Sequence, residues 1–64
     1  MSKLDKLRQI VKEHQCRKID GVIVDVLTAN AILTVYDAIN ETNKAKFIKL
    51  PIDKMASVAW SILN

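Results

Sequence analysis

Between Thr28 and Ile39 the chain reads TANAILTVYDAI, a twelve-residue run with a single charge, Asp37. Its Ala and Leu favour helix and Thr28 is an N-cap residue type, although Ile32, Thr34 and Val35 lower the propensity somewhat. On a helix, Asn30, Thr34 and Asp37 align at i, i+4 and i+7 as one polar strip. The rest of the circumference is apolar or aromatic, and such a helix is normally buried from several sides. The whole chain has only 64 residues. A chain of that size buries only about 60% of the surface its unfolded form exposes, so little else is on hand to enclose this helix. The expectation is a homo-oligomer with this helix at its centre. Ile32, Leu33, Val35, Tyr36 and Ile39, with Trp60 further along, are its candidate interface residues.

Domains below about 70 to 80 residues often add disulfides, a metal or oligomerisation to a marginal core. Cys16 is the sole cysteine, so no internal disulfide can form, and a reduced thiol in a cytoplasmic protein is expected. A composition of 50% hydrophobic and 27% charged residues, with one Gly and one Pro, is that of a globular domain and not of a disordered chain. The opening MSKLDKLRQIVKEH is charged throughout and lacks an apolar core, so neither a signal peptide nor a membrane span is expected. One domain over residues 1–64 follows, with an N-terminal amphipathic helix over 1–15 and a core module over 18–64.

In residues 2–15, Leu4, Leu7, Ile10, Val11 and His14 share one helical face, and Ser2 with Asp5 has the spacing of a capping box. That narrow stripe could pack on the body or lie in a partner's groove. Residues 17–26 admit two readings. Asp20-Gly21 is a favoured two-residue hairpin turn, with the strand formers Ile19, Val22, Ile23 and Val24 around it. Alternatively, Gly21 ends one helix and the following run extends loosely into the next. Asn40, with Asn43 three residues on, can cap a short basic helix over ETNKAKFIKL, which Pro51 breaks. A last helix over about 52–63 is expected to turn Ile52, Met55, Ala56, Ala59, Ile62 and Leu63 inward, with Trp60 as a core or interface anchor. The fold class is thus mainly α, a small bundle of about four helices with a short hairpin or extended segment near residues 17–26.

Chemistry-bearing residues are sparse. His14 and Cys16 lie at i and i+2, do not face each other on a helix, and have no second Cys or His to complete a zinc site. Asp20 and Asp25 could be an acid/base pair around a turn. Otherwise Asp20 makes the turn and Asp25 sits near a helix N-terminus, where negative charge is favoured. One glycine cannot build a phosphate-cradling loop. No catalysis, metal or cofactor is expected.

The net charge of +3 is concentrated at the two ends, because residues 21–40 hold only Asp25 and Asp37. Lys44, Lys46, Lys49 and Lys54 cluster where the last two helices would meet, as in a helix-turn-helix. The second helix, however, offers only Lys54, Ser57, Ser61 and Asn64 outward, which suits backbone contact and not base reading. Nucleic-acid binding therefore ranks third among the roles. Arg17, Lys18, Thr28, Asn30, Asp37 and Lys46 are candidate contacts for a partner or for a small anionic nucleotide held at a subunit interface.

From Lys18 to Ile62 the sequence resembles a family of small uncharacterised bacteriophage proteins. The shared pattern is a DG turn (Asp20, Gly21), then VD..TA.AI..VYDA (Val24 to Ala38), then N..NKAKF..LP..KMA (Asn40 to Ala56). The N-terminal helix lies outside it. The resemblance carries no activity and no functional residue across. It implies a setting, a phage accessory protein in a bacterial cytoplasm that binds a host factor in host takeover or counter-defence. Sequestration of a signalling nucleotide is the alternative.

Overall fold

Ser2 opens the first helix as the capping box anticipates. In the computed structural model, which describes residues 2–63, the Ser2 hydroxyl accepts the Asp5 N–H at 3.1 Å and the Asp5 carboxylate accepts the Ser2 N–H at 3.4 Å. Helix α1 spans Lys3–Glu13 and buries Leu7 and Ile10 completely. It stops one residue short of the last member of its apolar stripe. His14, expected on that stripe, takes the left-handed conformation (φ 55°) as the C-cap and points into solvent. Histidine is among the few side chains that visit this region with any frequency.

The ambiguous segment is a hairpin. Strands β1 (Arg17–Ile19) and β2 (Val22–Val24) pair antiparallel, with Arg17 opposite Val24, Lys18 opposite Ile23 and Ile19 opposite Val22. Asp20 and Gly21 both have positive φ, 52° and 80°, as a type I′ turn requires. Open space surrounds the position where a Gly21 Cβ would stand, so the backbone conformation alone calls for glycine. Alternation puts Arg17, Ile19, Val22 and Val24 on one face, where Ile19 and Val24 are buried, and Lys18 and Ile23 on the other. An isolated hairpin is marginal in water; here α1 covers one face of it.

Helix α2 spans Val26–Ala38 and begins earlier than expected. Asp25, and not Thr28, is its N-cap: the carboxylate accepts the Thr28 N–H at 2.7 Å. Asp is at least as good a cap as Thr, and its charge also meets the positive end of the helix dipole. Asn40 caps helix α3 (Glu41–Ile48) through the Asn43 N–H at 2.9 Å, as its spacing anticipates. Pro51 separates α3 from helix α4 (Ile52–Leu63), its carbonyl accepting from Lys54 and Met55.

Helix α2 is the centre of the molecule, packed on both α1 and α4. The core joins Leu7 and Ile10 of α1, Ile19 and Val24 of the hairpin, Ala29, Ala31, Ile32 and Val35 of α2, Phe47 of α3, and Ile52, Met55 and Ala59 of α4. Enclosing a side chain such as Ile32 or Met55 contributes about 1.5–3 kcal/mol. No polar or charged residue is buried among the described residues.

This corrects the expectation that α2 is too apolar for a single chain. Ile32 and Val35 are enclosed by their own chain and have no surface to offer a partner, while Leu33, Tyr36 and Ile39 are half-buried against the same core. The N-terminal helix also belongs to the body. The Lys3 ammonium donates to the carbonyls of Leu50 at 2.6 Å and Ile48 at 3.4 Å and lies 3.5 Å from the Asp20 carboxylate. Its three donors thus face three acceptors at the α3–α4 junction and the hairpin turn. The Cα radius of gyration, 10.7 Å, leaves no room for a detached helix, since about 11 Å is what a fully collapsed chain of this length has.

Candidate functional site

No cavity opens among the described residues, and no group of three or more His, Cys, Asp or Glu side chains gathers there in a metal-binding arrangement. What the fold places at the surface is convex and partly apolar. Seven large hydrophobic residues are exposed, in two groups: Val22, Ile23 and Leu27 around the junction of hairpin and α2, and Val58, Trp60, Ile62 and Leu63 on the second half of α4.

The first group follows from local geometry. Ile23 stands on the outward face of the hairpin directly opposite Lys18 and is 71% exposed. Four residues on, across the Asp25 cap, Leu27 is 72% exposed. Leu27, Asn30, Thr34 and Asp37 recur at i, i+3, i+7 and i+10, so Leu27 opens the polar strip expected of α2, and all four are exposed. The Thr34 hydroxyl donates to the Asn30 carbonyl at 2.7 Å and is thereby occupied. The Asn30 side chain and the Asp37 carboxylate have no hydrogen-bond partner among the described residues.

Two of the six candidate contacts lie beside these residues, Lys18 opposite Ile23 and Asn30 one turn on from Leu27, while Asp37 is on the same strip about 15 Å further along α2. The other three do not join them. Arg17 lies on the inward face of the hairpin and donates to the Gln9 side chain. Thr28 is half-buried in the first turn of α2, its N–H taken by Asp25. That hydrogen bond holds the Asp25 carboxyl below the usual carboxylate range, so Asp25 serves as a cap and is not half of an acid pair with Asp20, whose carboxylate faces Lys3. Lys46 is exposed on α3. The lysines at the α3–α4 junction are not a uniform patch either. Lys44 is drawn to the Glu41 carboxylate at 3.6 Å and lies over the Tyr36 ring, 5.3 Å from its centroid.

On α4 the structure departs from the expected inward face. Ile52, Met55 and Ala59 are buried, but Ile62 and Leu63 are exposed, and Trp60 is 40% exposed and so is no core anchor. Asn64, expected on the outward side, lies outside the described residues. Ile23 and Leu27 are the surface residues that sequence reasoning missed. The signal for Leu27 was its place in the row of Asn30, Thr34 and Asp37, visible only if the helix starts at Val26. Comparison with family models, curated proteins and solved structures finds no match.

Proposed function

We propose that this is a non-enzymatic phage accessory protein that acts by binding a host protein, and that Ile23 and Leu27 are the anchors of the contact. The observation that carries the reading is their exposure: they are the two most exposed large hydrophobics among the described residues, close in the chain and on structured elements. Apolar anchors held on rigid backbone and ringed by polar groups are what concentrates energy at protein interfaces. Lys18 opposite Ile23 and Asn30 one turn on from Leu27 supply a cation and an amide beside the anchors to select the partner. The phage setting rests on the sequence pattern from Lys18 to Ile62.

The test is affinity purification of the tagged chain from infected bacteria, with mass spectrometry of both proteins and small molecules. The expected result is one host protein in stoichiometric amount with the wild type, reduced at least tenfold by Ile23→Asp with Leu27→Asp. Equal recovery with that double variant moves the contact elsewhere. A nucleotide released from the purified chain, with no host protein, replaces this reading by sequestration.

A further inference from the structure

Of the five aspartates in the chain, only Asp20 is followed by glycine. Glycine has no side chain to shield its backbone nitrogen. The Gly21 nitrogen can therefore attack Cγ of a protonated Asp20 carboxyl. A C–N bond forms, a C–O bond breaks, and the Gly21 N–H proton leaves with the carboxyl OH as water, closing a five-membered succinimide. Water then adds back at one of two carbonyls. At Cγ it restores aspartate; at the former backbone carbonyl it leaves isoaspartate, with the main chain running through Cβ and Cγ. Water lost is water regained, and no other reactant is needed. Asp25 is the internal contrast, since it precedes the β-branched Val26 and its carboxylate accepts the Thr28 N–H at 2.7 Å.

The fold holds this reaction back at Asp20. The residue is left-handed, with φ 52°. Left-handed backbone has positive ψ as well, which sets the following nitrogen anti to Cβ. The ring cannot close until Asp20 rotates out of the turn. Its half-exposed carboxylate also lies 3.5 Å from the Lys3 ammonium, which donates to the Leu50 carbonyl at 2.6 Å. Cyclisation consumes the carboxylate that Lys3 faces, so that contact must be given up first.

We propose that Asp20-Gly21 is a site of spontaneous backbone isomerisation, opened by loosening of the hairpin turn and restrained by Lys3. The consequence runs one way. A type I′ loop closes the hairpin with two residues, both at positive φ. Isoaspartate adds a methylene to that main chain, so Ile19 and Val22 lose the pairing that ends the strands, and Lys3 loses its partner in the turn. A transient opening becomes a permanent one. The inference does not depend on the host-binding reading.

The test is incubation of the purified chain at neutral pH and physiological temperature. Isoaspartate at Asp20 is quantified by peptide mass spectrometry and by resistance to an endoprotease that cleaves before aspartate. Wild type unfolded in urea gives the unrestrained rate. The folded wild type is expected to isomerise at Asp20 at least tenfold more slowly, and Asp25 to stay below Asp20 in both states. Lys3→Met and the milder Lys3→Gln are expected to keep the far-ultraviolet circular dichroism of the wild type and to react at least threefold faster. Each is compared with wild type brought to the same stability by a low urea concentration, which separates loss of the Lys3 contact from global unfolding. Absence of isoaspartate at Asp20 in urea overturns the proposal. So do equal rates in folded and unfolded wild type, or Lys3 variants no faster than the stability-matched wild type.

Discussion

Helices α2 and α4 are both rich in apolar residues, yet they meet solvent in opposite ways. Helix α2 is apolar around most of its circumference and exposes little beyond Leu27 and its polar strip, because α1 and α4 pack on it. Helix α4 has a clean one-sided stripe, the usual mark of a helix that one surface can satisfy, and it ends with Ile62 and Leu63 in solvent. The difference lies in position and not in composition. A central helix is covered from several directions; a peripheral one is covered only along the length of its neighbours.

The contrast can be broken at its strongest point. Ile32→Ala removes a fully buried side chain at the centre of α2. It is expected to cost about 2–5 kcal/mol, read as a large fall in the urea midpoint with the slope unchanged. A loss below about 0.5 kcal/mol, the range of a surface substitution, would mean that α2 is not enclosed by its own chain.

A smaller effect sharpens how α2 is set in place. Asp25→Ala removes the cap and is expected to cost about 1 kcal/mol at neutral pH. Because folding lowers the Asp25 pKa, its contribution is complete above the ordinary carboxylate value and fades as pH falls through that value toward the lowered one. Wild type and Asp25→Ala should therefore converge in thermal stability in acid. If the gap between them persists unchanged to low pH, the charged cap is not its source.

The smallest effect tests the exposed side of the same helix. Leu27→Ser is expected to change stability by no more than about 0.5 kcal/mol, since Leu27 is 72% exposed. A larger loss in the urea midpoint would place Leu27 in the fold and not at a binding surface.

Features that rest on neighbouring residues were legible in the sequence. The Ser2–Asp5 capping box, the Asn40 cap and the break at Pro51 all stand where local rules put them. The Asp20-Gly21 hairpin was one of two open readings, and the positive φ at both residues identifies it. The start of α2 was not legible, because Asp25 and Thr28 are both cap residues and three positions separate them. That difference hid Leu27. The enclosure of Ile32 and Val35 was illegible for another reason. It depends on α1 packing on the body, and an amphipathic stripe alone does not say what it will cover. The exposure of Ile62 and Leu63 is the same lesson reversed, since periodicity gives the face a residue shares and not how far the neighbouring surface extends.

The Lys3 contact also sets a schedule for synthesis. Its ammonium meets the Leu50 carbonyl, 47 residues later in the chain. At about 5–20 residues per second, helix α1 waits roughly 2 to 10 s before that acceptor has been added. During that interval Leu7 and Ile10 are made but have no finished core to enter. A nascent chain stalled before Leu50 would be open to proteases and chaperones that the completed protein excludes.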